Sequence, residues 1–252
     1  MSYYKKPEMI LFDVGGTLFD DTKCVPRNGL AKLRLASENP EATDDETLTK
    51  LWDGFMKEIG SVHKSESGTK LDFLLSTAIK FVTMQAGLYF DISMAEQEEI
   101  FDRYNSDRKV IDGVTDLLEE IHSLGIRAAV ISNNAMSGEG LRLAIDRWLP
   151  GNKMEFCLTS ADILLTKPDK SLFICATNYA HVNPENCWYC GDGKIPDVDG
   201  AKNAGITPVL LDTESSLPFE MRTEIGRGEY LTVNSWIVLK AHIKKLWKIN
   251  FP

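Results

Sequence analysis

No stretch of this 252-residue chain approaches the roughly 18 unbroken apolar residues of a membrane span. Met1 to Glu8 is polar and lacks the apolar centre of a secretion signal. Basic residues are in the minority, 28 Lys and Arg against 37 Asp and Glu, for a formal charge of −9. That sets aside a nucleic-acid or anionic-membrane binder, since both need a basic face. An anionic small molecule stays open, because a metal ion and a few local lysines reverse the sign inside one pocket. Cysteines are few and odd in number, five in all, which argues against a disulfide framework and for a reducing, cytoplasmic setting. Internal repeats and low-complexity tracts are absent, which excludes a solenoid or a linker protein.

What remains is ordinary for a globular chain: 43% hydrophobic and 26% charged residues, at a length that suits one domain with an insertion or two small domains. Met9–Phe12, Ile126–Ile131, Phe156–Leu158, Asn186–Cys190 and Thr207–Leu211 are apolar runs that read as buried strands. Helical spacing marks Val114–Leu124, Leu141–Leu149, Lys170–Ala180, Pro196–Ala204 and Asn234–Lys248. Strands alternating with helices of this size predict an α/β fold, a Rossmann-like doubly wound parallel sheet. From about Asp20 to Lys109 the pattern is helical throughout, at Gly29–Ala36, Asp45–Ile59, Lys70–Met84 and Ala95–Asn105. This stretch is too long for a loop, so residues 20–107 are expected to form an inserted helical domain, with 1–19 and 108–252 as the core.

Cys187 and Cys190 form a CxxC pair inside a strand-like run, where residues three apart face opposite ways. They are read as structural thiols rather than a metal or redox site. Trp52, Phe55 and Met56 read as the apolar face of an inserted helix, His63 as solvent-facing, and Lys244, Lys245 and Lys248 as a solvated basic face.

Chemistry gathers at the ends of the strands, where ligands collect in such a sheet. Asp13-Val-Gly15-Gly16-Thr17 follows the first strand, Ser132-Asn133 the second, Lys167-Pro-Asp lies in the loop after the third, and Gly191-Asp192 with Asp197 follows the fourth. In this order and spacing the four segments resemble the haloacid dehalogenase-like (HAD) phosphatase superfamily over residues 7–19 and 108–212, and the insertion resembles that family's first-position helical cap.

The resemblance implies a mechanism. Asp13 would be the nucleophile that forms an aspartyl-phosphate. Mg²⁺ would be held by Asp13, the Gly15 carbonyl and Asp192, with Asp197 an outer acid orienting metal-bound water. Ser132 and Asn133, Lys167 and the turn around Gly16 and Thr17 would bind the phosphoryl group. The substrate would be a small phosphorylated metabolite and the protein a monomer or homodimer, with neither nucleic acid nor membrane as partner. The cap would be mobile over the site.

In one place the pattern departs from the family. Its phosphatases carry an aspartate two residues after the nucleophile as general acid–base, and here that position is Gly15. The departure opens a phosphatase with a substitute acid from the cap or a substrate with a good leaving group, a carbon–phosphorus hydrolase using a cap lysine (Lys50, Lys57, Lys64 or Lys70), a dehalogenase, or a weakened phosphate-binding module.

Overall fold

The computed structural model describes residues 5–20, 23–62 and 74–248, with the side chains of 60–62 left aside. In chain order the elements are β1 (Met9–Phe12), α1 (Pro26–Ala36), α2 (Asp45–Val62), α3 (Leu75–Gln85), α4 (Met94–Asn105), α5 (Val114–Ser123), β2 (Arg127–Ser132), α6 (Gly138–Trp148), β3 (Cys157–Thr159), α7 (Ser160–Ile163), α8 (Lys170–Ala180), β4 (Cys187–Gly191), a π-helical turn at Lys194–Asp199 running into α9 (Gly200–Asn203), β5 (Thr207–Leu211), β6 (Phe219–Glu224), β7 (Gly228–Val233) and α10 (Trp236–Lys248). Short 3₁₀ turns fall at Pro40–Ala42 and Pro184–Asn186.

The sheet has seven strands in the order β3-β2-β1-β4-β5-β7-β6. All pairings are parallel except β6 with β7. The expected doubly wound sheet is therefore present, with an antiparallel hairpin added at one edge. β1 lies at the centre with every residue buried, as a strand covered on both faces requires. The faces are separate: Ile10, Phe12, Val130, Trp188 and Cys190 belong to one apolar cluster, and Met9, Leu11, Ala129, Ile131, Cys187 and Tyr189 to the other. Cys187 and Cys190 thus point to opposite faces. Both are buried, and burial pushes the Cys187 thiol up to about 12 and the Cys190 thiol higher still, so neither behaves as a ready thiolate ligand.

The chain reverses between β1 and β4: from β1 it returns on one side to β2 and β3, and on the other to β4 and β5. The carboxyl ends of β1, β2 and β4 surround that switch point. Residues 26–105 hold α1–α4 and no strand among the described residues. Asp20 N–H donates to the Lys109 carbonyl at 2.9 Å and Ile111 N–H to that of Leu18 at 3.0 Å, so the segments leaving and re-entering the sheet are stitched together. Trp52 stacks on Phe101 with 5.0 Å between ring centroids, and Phe55 on Phe81 at 5.0 Å. Trp52, Phe55 and Met56 pack into the apolar core, as their helical spacing predicts, while Phe81 stays exposed. His63, Lys64 and Lys70 lie outside the described residues. Lys244 pairs with Glu120 at 2.8 Å and Lys240 with Asp116 at 3.4 Å, so the basic face of α10 is tied to α5.

Candidate active site

Asp13 is delivered by β1. Its backbone N–H donates to the Cys190 carbonyl at 2.9 Å, which fixes it beside the end of β4. The chain then turns sharply. Gly16 N–H donates to the Phe19 carbonyl at 2.8 Å, and the Thr17 and Leu18 amides both point to the Val14 carbonyl, at 3.4 and 2.9 Å. The Gly16 and Thr17 amides are therefore spent inside the turn, and the expected cradle of turn amides for a phosphoryl group is not formed by them. Gly16 serves another purpose. It sits at φ +64°, and a Cβ there would fall 2.2 Å from Oδ2 of Asp192. Only glycine lets the turn and the Asp192 carboxylate share this space. Gly15 is not among the glycines at positive φ. The Thr17 carbonyl accepts the Trp236 indole N–H at 2.7 Å, while its hydroxyl is buried without a hydrogen-bond partner.

Ser132 is the last residue of β2, buried and registered against Thr159. Asn133 has its side chain committed elsewhere than to a phosphate: Oδ1 accepts the Lys167 backbone N–H at 2.7 Å and Nδ2 donates to the Lys167 carbonyl at 3.3 Å. This two-point bond clamps the loop that carries Lys167. Beside the expected phosphoryl contact, the sequence suggests that Asn133 positions its loop through side-chain-to-backbone bonds, and these are the bonds it makes.

The Lys167 ammonium is buried and bridges two acids, 2.9 Å from Asp13 Oδ1 and 2.6 Å from Asp197 Oδ1. It also donates to the Tyr189 hydroxyl at 2.9 Å. Burial alone would pull this amine down, but the Asp13 and Asp197 carboxylates outweigh it and hold the lysine above its ordinary value, protonated. Burial raises the Asp197 carboxyl against the pull of Lys167, and Asp197 Oδ2 accepts the Gly193 N–H at 2.8 Å. At Gly191 a Cβ would fall 2.4 Å from Asp197 Cγ, so glycine at the end of β4 is what admits this carboxylate. Tyr189 is fully buried. Its phenol is pushed well up by burial and by the two acids, and it is neutral.

Asp192 is exposed, and its carboxylate stands with those of Asp13 and Asp197 such that oxygens of all three lie within 4.8 Å of one another. Three acids face one ammonium, and all are hard oxygen donors. That set fits a divalent cation such as Mg²⁺ and would repel itself without one. The four segments separated by some 180 residues thus meet at one sheet end: Asp13, Lys167, Asp192 and Asp197 together, Ser132 at the adjoining strand end, and Asn133 behind Lys167. Tyr189 is the residue that sequence reasoning passed over. It hides in an apolar run, and its position two residues before Gly191 was the only available signal.

Comparison with known proteins agrees with this arrangement. Residues 10–211 match the family described as haloacid dehalogenase-like hydrolase. Human "Haloacid dehalogenase-like hydrolase domain-containing protein 3" is 30% identical over 129 residues, which is 49% of this chain and 48% of that protein. The match therefore spans about half the length of this curated relative. A 2-haloacid dehalogenase from Pseudomonas syringae pv. Tomato has the same fold at 20% identity, with a TM-score of 0.58 over 96% of this chain and 99% of that one. A HAD phosphatase from Thermococcus onnurineus aligns at 18% identity and a TM-score of 0.51, over 93% and 97%. With the Asp13 turn, the buried lysine and the clustered acids all inside the matched span, this chain belongs to the haloacid dehalogenase-like hydrolase family.

Proposed function

We propose that this hydrolase is a Mg²⁺-dependent phosphatase acting on a small phosphorylated metabolite, with activated esters favoured. The carrying observation is the convergence of Asp13, Asp192 and Asp197 on one point beside Lys167. Displacement of halide from the carbon beside a carboxylate needs no such excess of acid, whereas a phosphoester dianion must be met by cations. Asp13, the Gly15 carbonyl and Asp192 would hold the ion, with Asp197 behind them. When bound, it supplies the positive charge that lets a carboxylate approach a phosphoester.

The chain's own residues do the rest. Asp13 Oδ1 is held by Lys167, which leaves its other oxygen to attack phosphorus. An O–P bond forms to Asp13 as the bond to the departing oxygen breaks, and water later cleaves the aspartyl-phosphate to free phosphate and Asp13. Lys167 compensates charge on the phosphoryl oxygens, and the Ser132 hydroxyl donates to one of them. No carboxyl stands at position 15 to protonate the departing oxygen. Leaving groups that depart without a proton, such as phenolates and carboxylates, are accordingly favoured.

The helices of residues 26–105 are proposed to cap this site. In support, Leu75 N–H at the start of α3 donates to the Ala135 carbonyl at 2.8 Å, three residues beyond Ser132. A carbon–phosphorus hydrolase would need a cap lysine near Asp13. Of the two candidates within the described residues, Lys57 is exposed, and Lys50 is exposed and pairs with Glu46 at 2.6 Å. The test is a panel of aryl, acyl and alkyl phosphates, a phosphonate and a 2-haloacid, each with and without Mg²⁺, for the wild type and Asp13→Asn. Hydrolysis of aryl or acyl phosphates that needs both Mg²⁺ and Asp13 supports the reading; metal-independent release of halide replaces it.

A further inference from the structure

One phenol touches three of the four segments that build the site. Tyr189 Oη accepts from Lys167 Nζ at 2.9 Å, donates to the Ile131 carbonyl at 2.9 Å and lies 3.2 Å from Asp197 Oδ1. Ile131 directly precedes Ser132. Tyr189 itself lies on β4, two residues before Gly191. Its ring is wedged edge-on against Phe173 of α8, centroids 4.9 Å apart, in a fully buried position.

An ammonium has three N–H donors and no more. Here they are accounted for by Asp13, Asp197 and Tyr189. Two partners are carboxylates, and charge-assisted bonds are roughly twice as strong as neutral ones. Without a third partner at a fixed place, nothing would keep the ammonium balanced between the two acids. A phenol is suited to this, since it accepts from the ammonium while its single proton is anchored on a backbone carbonyl.

We propose that Tyr189 is a positioning residue that sets the place of the Lys167 ammonium between Asp13 and Asp197, and so the place of the nucleophile. The inference rests on the phosphatase reading for its kinetic consequence but not for its geometry. The phenol, anchored on the Ile131 carbonyl, keeps this hold when substrate is bound, and Lys167 acts on the phosphoryl oxygens through its charge.

The test is Tyr189→Phe in the full chain, which keeps the ring against Phe173 and removes one oxygen. With p-nitrophenyl phosphate and Mg²⁺, kcat is expected to fall about 10- to 100-fold, the size of effect that a small misplacement produces. KM is expected to stay within about threefold. A crystal structure of the variant is expected to show Lys167 Nζ withdrawn from one of the two carboxylates. The inference is overturned if Nζ still bridges both acids, or if kcat is unchanged. If neither protein hydrolyses any phosphate ester, the phosphatase reading fails, and the position of Lys167 still decides this inference. Should the variant not accumulate, NMR of the wild type answers instead. A slowly exchanging Lys167 ammonium signal with cross-peaks to the Tyr189 ring is expected, and its absence overturns the proposal.

Discussion

Two adjacent glycines in the first turn have opposite expected responses to substitution. Gly15 does not occupy the left-handed region, so its φ does not demand glycine. Gly15→Asp supplies the acid that the departing oxygen lacks. Its effect should grow with leaving-group pKa: alkyl phosphates gain up to about 10²-fold in kcat, within the range of general acid catalysis, and aryl phosphates gain little. Measuring both classes under single-turnover conditions checks this, and equal gains for both would contradict it. Gly16→Ala is the reverse case. The new methyl group would occupy the space of Asp192 Oδ2, at a φ that costs an L-residue roughly 1–2 kcal/mol. Mg²⁺ affinity, read by calorimetry, should fall while the apolar core stays intact. At this scale the sequence was most legible where a polar residue ended an apolar run. Asp13, Ser132 and Asp192 announced themselves so, and Asp197 through its place after Gly191-Asp192. Tyr189 did not, because an aromatic in Cys-Trp-Tyr-Cys reads as packing, and only the tertiary fold reveals that its hydroxyl faces Lys167. Asn133 was legible as a polar residue at the site but not in its partner, which lies 34 residues on.

Between elements, the contact of α4 with α6 seats the helical insertion on the sheet. Glu98 of α4 is completely buried and accepts the Ser137 backbone N–H at 3.1 Å and the Ser137 hydroxyl, at the N-terminus of α6. Glu99 pairs with Arg147 at 2.5 Å, and Asp102 with Arg108 at 3.0 Å. Burial raises the Glu98 carboxyl, with Asp162 nearby adding to the rise and the Ser137 bonds opposing it. The folded state therefore binds this proton more readily than the unfolded chain does. Between the unfolded value near 4.5 and the raised folded value, the unfolded state holds fewer protons, so this group's contribution to stability falls as pH rises. Most carboxylates act the other way. Glu98→Gln removes the titration, so thermal melts from pH 4 to 7 should show a shallower decline for the variant on the high-pH side than for the wild type. A parallel pair of curves would mean that Glu98 ionises normally. Elements whose apolar face repeats were read correctly from the sequence, α4 and α6 included. β6 was not: its residues run between half-buried and exposed, and it is held by its ladder to β7 and by Arg222 to Asp212 at 2.7 Å rather than by an apolar stripe. β7 escaped notice for a different reason. It is a buried strand, but it opens on Gly228 and Glu229, which read as part of the preceding turn.

Taken whole, the molecule has a large apolar cluster that the insertion shares with one face of the sheet. Leu30, Leu33, Leu48, Trp52 and Ile79 of the insertion belong to the same buried cluster as Phe12, Val130 and Trp188 of the sheet and Trp236 and Ile243 of α10. An independently moving cap would close its own core and meet the sheet across a polar seam. Here apolar packing runs through the junction, and the buried Glu98 with the Glu99 and Asp102 ion pairs pins it further. Pattern reading separates segments by their period, helical against strand-like, and so divides the chain at about 20 and 108. Whether two such segments share a core depends on which faces meet, and period carries no information about that. The consequence is thermodynamic. Since the insertion's buried apolar side chains belong to the same cluster as those of the sheet and of α6, the two regions should unfold together. Differential scanning calorimetry is expected to give one transition, with the calorimetric and van't Hoff enthalpies agreeing. A fragment spanning residues 23–107 should not fold alone, because cutting it free exposes the face of α4 that packs on α6 and leaves the buried Glu98 without Ser137. Two resolved transitions, or a folded and cooperatively melting fragment, would show that the insertion is a separate domain after all, and closure over Asp13 could then be a hinge motion. With one transition, access to the site must come from smaller movements within a single cooperative unit, at the stitched crossing where Asp20 meets Lys109 and Ile111 meets Leu18.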